Sequence, residues 1–250
     1  MIEPGMESPM RRAKLVVVIL ALAALACNLP GLAGTSASQP EQLLESGQPV
    51  EQTTSDGQPP SVEVPSPSDA SVVELSPDQI ERIVPASVQI IAAQGSGGFF
   101  QPLWTGSGTI ISPEGEIITN CHVACGAPTL IIRLSTSPDR PPEDRYIAEV
   151  THFDEDLDLA ILRVVTDMDG NPVSPTDLPY LETGDSDSLR LGDRLFIFGY
   201  PGVGGETITF TTGSVSGFES ATVAGEMQRV IIKTDASIAG GNSGGTAVDL

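Results

Sequence analysis

TDASIAGGNSGGTAVDL, residues 234–250, sets one hydroxyl, Ser243, among Gly240, Gly241, Gly244 and Gly245, with the carboxamide of Asn242 beside it. The pentapeptide GNSGG fits the G-x-S-x-G form of a strand–turn–helix nucleophile elbow, whose α/β scaffold places its acid and its histidine after the serine. Residues 244–250 contain no histidine, so that reading fails. The chain's 2 histidines, His122 and His152, both lie upstream. Any serine triad in this chain therefore runs in the order His, Asp, Ser.

The sequence ahead of Ser243 agrees with an all-β scaffold. Short runs rich in Val, Ile and Thr recur at residues 87–93, 107–112, 116–120, 129–135, 145–153, 157–165, 194–200, 206–220 and 228–235, separated by Gly, Pro and Asp. Evenly spaced short strands with turn signals between them predict a sandwich or barrel. One short helix is predicted before them at SPDQIERIV, where Ser76 caps and Pro77 opens the first turn.

Composition excludes other classes. The formal charge is −21 with 12 Lys and Arg, and the only basic cluster is Arg11, Arg12 and Lys14, so the footprint of a nucleic-acid binder is missing. That cluster precedes a 12-residue apolar run at residues 15–26, too short for a bilayer span of about 20 residues and suited to a signal-peptide core. The run ends in ALAC, residues 24–27, which resembles the lipobox of bacterial lipoproteins and implies a membrane anchor on Cys27; an ordinary cleaved secretory signal is the alternative.

From residue 28 to 81 there is no Lys, Arg or aromatic residue, while Ser, Pro, Gln and acids dominate. Such a segment cannot bury enough apolar surface to offset its ordering entropy. Three regions are therefore expected: a lipoprotein-type signal peptide over residues 1–26, a disordered acidic Pro/Ser-rich tether over 27–76, and a globular domain over 77–250. Val72, Val73 and Leu75 are read as part of the solvated tether, with docking on the domain as the alternative.

Three separated stretches carry a resemblance. GSGTIISPEGEIITNCHVA (residues 106–124), DLDLAILRV (156–164) and TDASIAGGNSGG (234–245) resemble the histidine, aspartate and nucleophile segments of trypsin-like serine proteases of the HtrA (Deg) type. Alone, His122 reads as a surface or packed histidine, Asp154 to Asp158 as a solvated acidic loop, and GNSGG as a turn. Together, in the required order, they make a constellation. The resemblance implies two antiparallel β-barrels of the trypsin-like fold, the second lacking its closing strands because the sequence stops at Leu250, with weak activity expected of the chain alone.

It also implies roles. Ser243 is the nucleophile, His122 the general base, and Asp158 the group that fixes the imidazole tautomer. The N–H groups of Gly241 and Ser243 are the oxyanion donors. Ser237, six residues before Ser243, lies near the base of the P1 pocket, and being uncharged it argues against cleavage after Lys or Arg. Asn242 stands where many relatives carry an acid that stabilises a processed N-terminus, which points to a site that needs no zymogen cleavage.

The implied function is an extracytoplasmic serine endopeptidase acting through an acyl-enzyme on polypeptide substrates, in protein quality control, with oligomerisation open. Two alternatives are a catalytically impaired, protease-like binding protein on the cell surface and a surface adhesin. No cofactor and no metal are expected. CHVAC offers Cys121, His122 and Cys125 as zinc ligands, but no second ligand pair stands at zinc-finger spacing. An oxidising compartment favours a Cys121–Cys125 disulfide over two buried thiols. His152 is read as a surface strand residue.

Overall fold

Regular structure begins where the cap signal stands. The computed structural model describes residues 74–96, 98–202, 206–223 and 225–250; the signal segment, Cys27 and all but the last three residues of the expected tether lie outside them. Ser76 Oγ accepts the Gln79 N–H at 3.3 Å and the Ser76 N–H donates to Gln79 Oε1 at 2.8 Å. This reciprocal box satisfies two donors that the first helical turn leaves free, and it opens α1, Pro77–Ala86. Leu75 packs with α1 against the core cluster of Ile83, Val84, Phe196, Phe198 and Val248. The last residues assigned to a solvated tether thus already touch the domain, because α1 leaves an apolar edge for Leu75 to cover.

Six strands follow: β1 (Ser87–Ser96), β2 (Phe99–Ile110), β3 (Glu116–Thr119), β4 (Thr129–Leu134), β5 (Glu143–Asp154) and β6 (Leu159–Asp167), with a one-turn helix α2 (Cys121–Ala124) after β3. They close a barrel in the order β1-β2-β3-β6-β5-β4, where β4 returns to pair with β1, Ile90 opposite Ile132. The period of two in each strand sends alternate side chains inward. Val88, Ile90, Ile110, Ile117, Ile132 and Leu162 fill the interior with no exposed surface. Truncating one of these to Ala would cost about 2–5 kcal/mol, since the closed wall cannot collapse into the gap.

Along β2 the alternation has a further consequence. Gly106 and Gly108 turn inward, where an added methyl would stand 2.6 Å from Val123 and 2.9 Å from Ile117 and Ile90. Ser107 and Thr109, both buried, instead carry their hydroxyls toward Gly241 and Thr246, the latter in a second sheet.

That sheet is open and four-stranded, in the order β10-β7-β8-β9, built from β7 (Arg194–Gly199), β8 (Thr209–Val223), β9 (Glu226–Thr234) and β10 (Thr246–Val248). β7 is buried on both faces: Leu195 and Ile197 pack with Val215 and Ala247, while Phe196 and Phe198 face Ile83 and Val84 of α1. The seam between barrel and sheet carries a ladder of hydroxyls. Ser87 Oγ and Thr109 Oγ1 lie 2.8 and 2.7 Å from Thr246 Oγ1, and Tyr200 Oη donates to the Ser87 carbonyl at 3.2 Å. Buried polar groups of this kind cost nothing net only when each finds a partner, so the seam fixes one register between the two halves.

Candidate active site

His122 sits on α2, directly after β3. The Cys125 N–H donates to the Cys121 carbonyl at 2.6 Å, and the side chains of Cys121 and Cys125 form a disulfide with Cα atoms 5.0 Å apart. The turn that carries His122 is therefore closed both by a hydrogen bond and covalently, and neither sulfur is free to ligate zinc. Trp104, the single tryptophan of the chain, donates its indole N–H to the Val123 carbonyl at 2.9 Å and braces the same turn from β2.

Asp158 ends the tight turn between β5 and β6. It has φ 52°, the only positive φ outside glycine among the described residues. Left-handed backbone is tolerated by Asp better than by most residues, though at a cost of about 1 kcal/mol or more. Besides its own N–H to the Glu155 carbonyl at 3.3 Å, four hydrogen bonds to residues 120–122 hold it there. The Asp158 carbonyl accepts from the Cys121 N–H at 3.1 Å and from Asn120 Nδ2 at 2.9 Å. Its Oδ1 accepts the His122 backbone N–H at 2.8 Å, and its Oδ2 lies 2.6 Å from His122 Nδ1. An ionised carboxylate can only accept, so Nδ1 carries the proton and Nε2 is left with a free lone pair. The imidazole remains half exposed at 46%, and Asp158 is the better covered partner at 25%.

Ser243 lies in the glycine-rich turn that precedes β10. Gly241 has φ 100° and Gly244 φ 76°, values that only glycine adopts without strain. A methyl on Gly244 would overlap Thr119 Oγ1 and the Ser107 carbonyl, so this turn presses directly on the barrel beside the histidine segment.

The peptide planes around Ser243 are pinned from their carbonyl sides. The Gly240 carbonyl accepts from the Gly202 N–H at 2.9 Å, and the Asn242 carbonyl accepts from the Gly245 N–H at 2.8 Å. In a trans peptide the N–H points opposite to its C=O, so these bonds orient the N–H groups of Gly241 and Ser243. Among the described residues neither N–H finds an acceptor. Two backbone donors thus stand near one hydroxyl without an acceptor among the described residues.

Among the described residues no hydrogen bond joins His122 Nε2 to Ser243 Oγ, a contact that commonly tightens only when substrate is bound. Asn242 is buried at 5%, and its Oδ1 has no partner among the described residues. Ser237 is exposed, in the irregular stretch between β9 and the Ser243 turn. His152 is an exposed residue of β5, 3.2 Å from Thr151 Oγ1. A cavity of ≈ 580 Å³ lies between α1 and residues 178–182 and contains none of His122, Asp158 or Ser243.

Behind the turn, Tyr200 is 1% exposed, and burial pushes its phenol up to about 12. Sequence reasoning missed Ser107. Its N–H donates to the Ser243 carbonyl at 2.8 Å, and its Oγ donates to the Gly241 carbonyl at 2.7 Å and accepts the Tyr200 N–H at 2.9 Å. A small polar residue between two glycines, at the head of the strand predicted over residues 107–112, was the available signal.

Residues 106–250, which include His122, Asp158 and Ser243, match the family described as the trypsin-like peptidase domain. The chain is 34% identical to the mitochondrial serine protease HTRA2 of Bos taurus over 74% of its own length and 38% of that protein's. It is 35% identical to the chloroplastic Protease Do-like 1 of Arabidopsis thaliana, over 59% of this chain and 31% of that one. Against the periplasmic serine endoprotease DegP of Escherichia coli the identity is 33%, over 62% and 30%. Among solved structures, an HtrA-type protease AlgW with tripeptide superposes with TM-score 0.51 at 32% identity, covering 68% of this chain and 49% of that one. The matched region is thus at most 38% of the length of these three relatives.

Proposed function

This chain belongs to the trypsin-like peptidase domain family, and on that premise we propose that it is an HtrA-type serine endopeptidase that cleaves polypeptides through an acyl-enzyme on Ser243. The observation that carries the reading is the double grip of Asp158 on His122, through the backbone N–H at 2.8 Å and through Nδ1 at 2.6 Å. It leaves Nε2 as the basic nitrogen, facing outward from the carboxylate.

In the proposed reaction Ser243 Oγ attacks the scissile carbonyl while His122 Nε2 takes its proton. The carbonyl oxygen becomes an oxyanion, held by the N–H groups of Gly241 and Ser243. Collapse breaks the C–N bond, and the amine leaves with the proton from Nε2. Water then attacks the ester with the same histidine as base, releasing the acid and restoring the Ser243 hydroxyl. Asp158 stays ionised throughout and stabilises the imidazolium each time it forms.

The apolar run before Cys27, together with periplasmic relatives such as DegP, supports export. The ALAC sequence supports acylation of Cys27. In this account the segment that follows Cys27 links the membrane anchor to the domain. Misfolded exported polypeptides are the substrates, and quality control is the role.

The test is hydrolysis of unfolded casein by the purified chain and by Ser243→Ala. Cleavage that the substitution abolishes is the expected result. Cleavage that survives it, or none by folded wild-type protein, would overturn the reading. The anchor is tested separately by the mass of the mature N-terminus: an unmodified terminus downstream of Cys27 would rule out lipidation.

A further inference from the structure

We propose that Ser107 is a positioning residue of the Ser243 turn, setting the oxyanion donors from the barrel side; this rests on the reading of Ser243 as nucleophile. Ser107 is 1% exposed, and its groups reach three separate parts of the site. The N–H holds the Ser243 carbonyl at 2.8 Å. The hydroxyl donates to the Gly241 carbonyl at 2.7 Å while accepting the Tyr200 N–H at 2.9 Å. The carbonyl accepts Thr119 Oγ1 at 2.7 Å, at the end of β3 just before the His122 turn.

The consequence follows from peptide geometry. Holding the Gly241 carbonyl fixes the plane that follows Gly241, and holding the Ser243 carbonyl fixes the plane that follows Ser243. The planes that precede these two residues, which carry their own N–H groups, are pinned by Gly202 and Gly245. Gly241 and Ser243 are thereby each clamped on both sides, and Ser107 supplies one side of both clamps. Gly241 at φ 100° has no side chain to lock it, and apart from the Ser107 hydroxyl the plane that carries its carbonyl is held by the longer bond from the Asn242 N–H to the Ala239 carbonyl at 3.1 Å, so loss of the hydroxyl loosens that side of the clamp.

The Ser107 hydroxyl therefore acts on catalysis without touching substrate. Oxyanion donors contribute most in the transition state, so their misplacement lowers kcat and leaves KM nearly unchanged.

The experiment compares Ser107→Ala, Ser107→Cys and Thr109→Ala in the purified chain, with kcat and KM measured on a chromogenic peptide and folding checked by near-UV circular dichroism. Thr109 is the control: a buried hydroxyl on the same face of β2 that pairs with Thr246 and, among the described residues, makes no side-chain hydrogen bond to residues 240–245. Ser107→Ala should lower kcat by about 10- to 100-fold with KM within about threefold, the scale of a displaced rather than deleted donor. Ser107→Cys keeps the shape but donates weakly, so it should lie between Ala and wild type and decides the matter if the Ala variant does not fold. Thr109→Ala should keep kcat within about twofold, since it leaves the turn alone.

Folded Ser107 variants with wild-type kcat would overturn the proposal. So would a Thr109→Ala variant that loses as much. A wild-type chain that turns over no peptide would instead count against the reading of the site as a protease, which separates the two failures.

Discussion

Asp158 and His122 are joined at two points, Oδ1 to the backbone N–H at 2.8 Å and Oδ2 to Nδ1 at 2.6 Å, so one carboxylate sets both the position and the tautomer of one imidazole. Asp158→Asn separates these tasks. The amide can keep the backbone contact through its oxygen but presents N–H to Nδ1, which then accepts and puts the proton on Nε2. We expect kcat to fall by about 10³- to 10⁴-fold with little change in KM or in the melting curve. A variant within tenfold of wild type would show that the tautomer is set elsewhere.

The disulfide encloses the residue it serves. Cys121 and Cys125 bracket His122 within one turn, and the ring is too short to contribute much loop entropy to global stability. Reduction should therefore leave the fold standing while loosening α2. Activity should fall by about two- to tenfold, a size suited to a mispositioned base, and Trp104 fluorescence should shift as its bond to the Val123 carbonyl relaxes. Full activity and an unchanged spectrum in dithiothreitol would show that the hydrogen-bonded turn suffices without the covalent link.

Tyr200 supplies a pH-dependent probe of the seam. Its folded pKa, about 12, exceeds the unfolded value near 10 because burial disfavours the phenolate. The stability it contributes is fully present below pH 10 and is lost as pH rises from there to about 12, because there the folded state retains a proton that the unfolded state has released. On ultraviolet titration the Tyr200 phenolate should appear only as the protein unfolds. A Tyr200 phenolate that forms near pH 10 in folded protein would contradict the buried placement.

Gly244→Ala tests the contact between turn and barrel. The added methyl meets Thr119 Oγ1 and the Ser107 carbonyl, and the residue must hold φ 76°. Both effects oppose the native turn, and we expect a loss of about 2–4 kcal/mol in denaturant unfolding together with most of the activity. A neutral substitution would mean that the turn rests elsewhere than against β2 and β3.

Much of this was legible in the sequence because it was local. The strand runs and the Ser76 cap follow from patterns within a few residues, whereas His122 and Asp158, 36 positions apart, are linked in the sequence only through the family resemblance. What was not legible depends on register across the seam. β10 is three residues long, too short to show a period, and is recognisable only by its pairing of Ala247 with Ile197. Asp158 is held at its positive φ by four groups of residues 120–122, distant in sequence. Ser107 reads as one more small residue in a glycine-flanked strand until residues 241 and 243, more than a hundred positions away, are folded against it.

The central claim, that Ser243 is an activated nucleophile served by His122 and Asp158, is tested most directly by reacting the folded, oxidised chain with a fluorophosphonate and mapping the adduct by peptide mass spectrometry. The account predicts a single phosphonyl adduct on Ser243, formed with loss of fluoride, absent from Ser243→Ala and greatly slowed in His122→Ala. Folded protein that stays unlabelled, an adduct on another residue, or labelling indifferent to His122 would contradict it.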